Sequence, residues 1–137
     1  MKLADYGLWA AWLVAVLATA GSLSMSEIYH LVPCVLCWYQ RICMFPLAVI
    51  LGVGIVRRDR QASSYALPLA LTGLVIAGFH SLLQWGIISE AISPCSAAAA
   101  CAIKQINWFG FITIPFMSLV AFAIISAALL AVRQATK

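Results

Sequence analysis

A chain of 137 residues that is 65% hydrophobic and only 9% charged is too apolar for a soluble domain, where roughly a quarter of the residues carry charge. Its formal net charge of +4 comes from eight Lys and Arg against four Asp and Glu, too sparse a set of cations to track a nucleic-acid backbone. The composition implies a membrane protein, and its apolar runs imply an all-α four-transmembrane-helix bundle forming one integral domain over residues 1–137, in which an ionisable side chain inside an apolar run is a candidate for function.

Four apolar runs reach the roughly 20 residues needed to cross a hydrocarbon core. The first covers about residues 8–25. With Lys2 ahead of it and Ala18-Thr19-Ala20 within it, this run resembles a cleavable signal peptide. Asp5 in what should be a basic leader, and apolar sequence continuing past Ala20, favour a retained helix instead. A short outer loop, about 26–34, leads to the second helix, about 35–56, which opens on Pro33-Cys34-Val35-Leu36-Cys37-Trp38-Tyr39-Gln40-Arg41. Next comes the turn Arg57-Arg58-Asp59-Arg60, and a short basic loop between two spans is expected on the cytoplasmic side. The third helix, about 65–88, contains Gly78-Phe79-His80-Ser81-Leu82-Leu83-Gln84-Trp85. A longer outer loop, about 89–107, carries Cys95 and Cys101, and the fourth helix takes about 108–132.

Six of the eight basic residues (Lys2, Arg57, Arg58, Arg60, Arg133 and Lys137) then lie inside, with Arg41 and Lys104 on or toward the outer side. This bias predicts both termini in the cytoplasm. It sends Cys34, Cys37, Cys95 and Cys101 to the outer compartment, which in bacteria is oxidising enough for disulfides. Cys43 falls inside the second span, where a lone cysteine behaves as a small hydrophobe, and no role is expected of it.

The Cys34-x-x-Cys37 pair admits three readings. Zinc would need a second knuckle, and Cys95-x5-Cys101 lacks the glycine-rich turn of one, so no metal is expected. A structural staple is conceivable, but a bridge across two intervening residues restrains little chain. A redox centre accounts for more of the surroundings. Cys34, Cys37 and Arg41 are spaced i, i+3 and i+7 along one helical stripe, and a helix N-terminus with a guanidinium nearby favours a thiolate, expected at Cys37. Arg41 should lie roughly 10 Å into the helix, costly unless it snorkels outward or meets an electron-rich partner. His80 and Gln84, at i and i+4, offer polar company on the third helix, with His80 expected at similar depth. A lipid-soluble acceptor with carbonyl oxygens, a quinone, suits that polarity and place: Arg and His donors would stabilise the charge developing on its oxygens.

These features together resemble the disulfide bond formation protein B (DsbB) family, especially its short BdbC-type members. The resemblance rests on "CVLCWYQR", "HSLLQ", the cysteine pair between the third and fourth helices and "FGFITIPFMSL", in that order. It implies a membrane protein-dithiol:quinone oxidoreductase of the bacterial inner or cytoplasmic membrane, which reoxidises a thioredoxin-fold, DsbA-like thiol oxidase on the outer side and uses ubiquinone or menaquinone. The same resemblance makes Cys37 the sulfur beside the quinone and Cys34 its disulfide partner. Cys95 becomes the site of attack by the partner protein and Cys101 the resolving cysteine. Arg41 and His80 become quinone-associated residues, with Gln84 in a supporting role. Gln40 departs from the acidic residue common in relatives, and the five-residue spacing of Cys95 and Cys101 is shorter than in longer members. The vitamin K epoxide reductase family performs similar thiol/quinone chemistry with a different motif order. A non-catalytic four-helix interaction protein with structural disulfides is the remaining alternative.

Overall fold

The computed structural model describes residues 2–30, 34–92 and 113–137. They form four helices, α1 (Lys2–Glu27), α2 (Val35–Arg57), α3 (Ala62–Gln84) and α4 (Ile114–Ala135), with one 3-10 turn at Glu90–Ile92. Cys95, Cys101, most of the loop that carries them and residues 108–112 expected to open the fourth helix lie outside the described residues. Each helix is long and apolar enough to cross a membrane. At about 1.5 Å per residue, even α4 with its 22 residues reaches about 33 Å. The fold is an all-α four-helix bundle, with no strand among the described residues.

The helices form a ring in which α1 packs on α2, α2 on α3, α3 on α4 and α4 on α1. Neighbours run antiparallel. Asp5 of α1 meets Arg60 beyond the end of α2 at 3.6 Å, whereas Arg41, near the start of α2, reaches Ser22 near the end of α1. Gly7 of α1 abuts Val132 of α4, and Gly73 of α3 lies against Phe122 of α4. The N-terminus, the α2–α3 turn and the end of α4 therefore share one end of the bundle, while the start of α2 and the end of α3 share the other.

Without a hydrophobic drive between helices in lipid, close packing must hold them, and small residues let backbones approach. The interior follows this rule. Ala4, Ala11, Ala15, Ala66, Ala70 and Ala77 are buried with Leu47, Leu51, Phe122, Ile125 and Leu129. Large apolar side chains such as Leu17, Val49, Val53 and Val75 point outward, as lipid-facing positions require. Cys43 is buried in this core, as a small hydrophobe would be.

Two helix ends are closed by left-handed residues. Arg58 adopts φ 54° after α2, where the Asp59 N–H donates to the Gly54 carbonyl at 2.8 Å. Gly86 adopts φ 78° after α3, with the Ile87 N–H on the Leu82 carbonyl at 3.1 Å and the Gly86 N–H on Leu83 at 3.2 Å. This paired pattern is a Schellman closure, for which glycine is the favoured residue. It stops α3 at Gln84, so His80 stands four residues from the helix end, about 6 Å rather than the expected depth of roughly 10 Å.

Candidate active site

The end of the bundle that holds the start of α2 gathers the polar side chains. Cys34 is the N-cap residue of α2, in extended conformation, and Cys37 lies in the first turn. One turn of helix brings their sulfurs to 3.2 Å, close enough to share a proton and to form a disulfide after a small movement. From α3, the fully buried His80 brings Nε2 to 3.6 Å from the Cys34 sulfur. Its other ring nitrogen, Nδ1, is 3.0 Å from Nε2 of Gln40, itself only 6% exposed. Cys34, His80 and Gln40 therefore form a continuous hydrogen-bonded chain across the α2–α3 interface.

This places one expected group differently. The sequence favours a thiolate at Cys37, but the structure sets the imidazole beside Cys34. Cys34 precedes the span, and its thiol is held below the ordinary value. Hydrogen bonding with Cys37 is the main cause, burial opposes it, and His80 adds a further lowering. With its sulfurs in contact, the pair can carry one negative charge and one proton between them.

Arg41 turns away from this chain toward α1. Its Nε donates to Ser22 Oγ at 2.9 Å, and its terminal Nη2 donates to the Ser22 carbonyl at 2.9 Å and to Ser26 Oγ. The guanidinium carbon also lies 5.3 Å from the centroid of the Trp38 ring, within cation–π range. A cation at membrane depth is thus held by oxygens and a ring face, with no carboxylate among these contacts.

Beside Arg41 is a groove of about 430 Å³ between α1, α2 and α4. Cys37, Gln40, Arg41, Ser22 and Ser26 supply its polar wall, and side chains such as Leu17, Phe45, Met117 and Ile124 supply the apolar remainder. A mostly apolar cavity of this size with a few convergent donors suits a flat hydrophobic ligand bearing oxygen acceptors. Of the predicted site residues, the structure brings Cys34, Cys37, Arg41 and His80 to one end of the bundle. Cys37 and Arg41 line the groove, while His80 and Gln84 are buried on α3. Cys95 and Cys101 lie outside the described residues.

Three residues at this site carried no expectation. Ser22 and Ser26 are one turn apart at the end of α1, a spacing that puts two hydroxyls on one face. Gln40 is a buried amide inside an apolar helix, and the family resemblance marks it only as a departure from the acidic residue of relatives. Its spacing of i+3 from Cys37 was the available signal.

Known disulfide formation proteins resemble the chain over most of its length. The family model for disulfide bond formation protein DsbB matches residues 5–132. Disulfide bond formation protein C of Bacillus subtilis is 48% identical over 118 residues, covering 86% of each chain. A probable disulfide formation protein of Deinococcus radiodurans is 47% identical, covering 95% of this chain and 90% of its own. A probable disulfide formation protein C 1 of Bacillus anthracis is 42% identical over 91% of this chain and 90% of its own. No solved structure gives a significant match. With a paired-cysteine site at the mouth of a membrane bundle and a family match over nearly the whole sequence, the chain belongs to the DsbB family of disulfide bond formation proteins and is a multi-pass membrane protein.

Proposed function

We propose that the chain oxidises a reduced thioredoxin-fold, DsbA-like thiol oxidase on the outer side of the membrane and passes the electron pair to a membrane quinone. In this reading a thiolate of the partner attacks the Cys95–Cys101 disulfide, and the partner leaves with its own disulfide formed. The new Cys95/Cys101 dithiol reduces Cys34–Cys37 by a second exchange. Each exchange requires an attacking thiolate and a stable leaving thiolate. His80 Nε2, 3.6 Å from the Cys34 sulfur, is the group able to hydrogen-bond Cys34 as that sulfur leaves.

A quinone held in the groove supplies the final acceptor for two electrons and two protons. The observation that carries this reading is that Cys37 and Arg41 line the same groove. Arg41 is suited to hydrogen-bond a ligand oxygen, since Ser22 and Ser26 fix its fork and reduce the freedom lost on binding. The apolar walls exclude water and place the reacting sulfur at lipid level. The same reading puts the cysteine end of the bundle outside and both termini in the cytoplasm, as the basic residues favour.

Thiol trapping of the purified chain tests the route. After reduced partner is added without quinone, both cysteine pairs should collect as dithiols; adding ubiquinone or menaquinone should return them to disulfides within the same sample. Bridges that stay static under both conditions would make the chain a structural or interaction protein and end this reading.

A further inference from the structure

The sequence frames a zinc site as two cysteine knuckles. The structure offers a different donor set. The ligand atoms of Cys34, Cys37 and His80 all lie within 4.8 Å of one another, drawn from two helices rather than two loops. We propose that the reduced protein binds zinc through Cys34, Cys37 and His80, and that oxidation of the pair abolishes the site, making the dithiol state sensitive to metal.

Geometry supports the fit. Zinc–sulfur and zinc–nitrogen bonds of about 2.3 and 2.0–2.1 Å at a tetrahedral angle place sulfur and nitrogen about 3.6 Å apart, and two sulfurs about 3.8 Å apart. The Cys34 sulfur and His80 Nε2 are already 3.6 Å apart. The two sulfurs, at 3.2 Å, need to open by about half an ångström. A disulfide at about 2.05 Å has no thiolate to donate and cannot open this way.

Two further features favour the ion. The neutral amide of Gln40 can turn its oxygen toward Nδ1 and accept that proton, which leaves the Nε2 lone pair directed at the sulfurs. Metal-bound histidines are commonly held by such a partner on the other ring nitrogen. Charge balances as well. As two zinc–sulfur bonds form, the protons remaining on the two sulfurs leave, and two thiolates, a neutral imidazole and Zn²⁺ sum to zero. A neutral cluster is the least costly form for a metal at the edge of a low-dielectric bundle. Three protein ligands leave a fourth position open, as in exchangeable rather than closed structural sites. The sulfurs bound in this way are the same ones that exchange electrons, so the metal would stop turnover by occupying them.

The test uses the full chain in detergent with Cys95→Ser and Cys101→Ser, so that the remaining thiols are Cys34, Cys37 and Cys43. The reduced protein should bind one zinc per chain in competition with a chromophoric chelator, and cobalt(II) should give thiolate-to-cobalt charge-transfer absorption. After oxidation of the pair neither signal should appear. His80→Ala should weaken zinc at least about tenfold, and Cys43→Ala should leave affinity unchanged. Because His80→Ala removes a buried side chain, His80→Cys serves as a companion variant that should retain the cobalt absorption. Absence of stoichiometric binding by the reduced chain, equal binding by the oxidised chain, or affinity indifferent to His80→Ala would overturn the proposal. None of these readouts depends on a partner protein or a quinone, so this site and the proposed electron route can fail separately.

Discussion

Arg41 carries a formal charge among apolar helices, and its environment explains how the fold tolerates it. Ser22 supplies a hydroxyl and a carbonyl, Ser26 a second hydroxyl, and Trp38 a ring face. These contacts spread the charge without neutralising it, so the guanidinium remains able to attract a partially negative oxygen in the groove. Hydrogen bonds involving a charged group contribute about 1.5–3 kcal/mol. Arg41→Ala should therefore raise the KM for quinone roughly tenfold or more, read from quinone-dependent oxidation of a dithiol partner. Arg41→Lys should not restore it, since an ammonium cannot reproduce the planar fork. An unchanged KM in Arg41→Ala would mean that Arg41 only snorkels.

The residue-scale site was partly legible in the sequence. Cys34, Cys37 and Arg41 announce themselves by local spacing, and His80 by being ionisable within an apolar run. Which of them touch is decided by helix rotation. An almost uniformly apolar helix gives little periodic signal for the face that meets each neighbour. That is why the contacts of Arg41 with α1 and of His80 with Cys34 could not be read from spacing. It is also why the serine pair and Gln40 emerged only when the helices were packed.

At the scale of elements, the bundle depends on close contacts between helices. Gly73 is the sharpest case: a Cβ there would overlap the ring of Phe122, and Phe122 is fully buried. A ring held on all sides cannot swing away cheaply, and overpacking of this kind costs about 1–3 kcal/mol. Gly73→Ala should lower the thermal unfolding midpoint in detergent, and Gly73→Leu should lower it further. A Gly78→Ala control should cost less, because its added Cβ would meet only Leu119 Cδ1 at 3.8 Å. Equal midpoints for Gly73→Ala and the parent would contradict the packing of α3 on α4.

The four spans themselves were legible because length and hydropathy fix them almost without reference to tertiary structure. Their ends were less so. The third helix stops at Gln84, not near residue 88, because Gly86 takes a left-handed conformation and closes the last turn. Hydropathy does not register such a closure, since Trp85 and Ile87 continue the apolar run.

For the whole molecule, antiparallel packing sorts the chemistry to one end. The basic turn with Arg57, Arg58 and Arg60 shares the opposite end with the N-terminus, tied to it by the Asp5–Arg60 contact. Both are exposed polar features, and the pair adds little to stability. Their shared position matters for orientation. A single cysteine introduced as Gln61→Cys, in a chain with its five native cysteines replaced, should resist a membrane-impermeant maleimide in intact cells and react after the membrane is opened. Labelling in intact cells would invert the proposed topology and remove the outer-side partner from the account.

The central claim is that electrons leave a protein dithiol and reach a lipid-soluble acceptor through Cys37. The direct measurement mixes the oxidised, quinone-loaded chain with reduced DsbA-like partner and follows quinone absorbance and partner thiols together. The account predicts one quinone reduced for each partner disulfide formed. With Cys37→Ser it predicts no quinone reduction, although Cys95 can still capture the partner. Partner oxidation without matching quinone loss, or normal quinone reduction by Cys37→Ser, would contradict it.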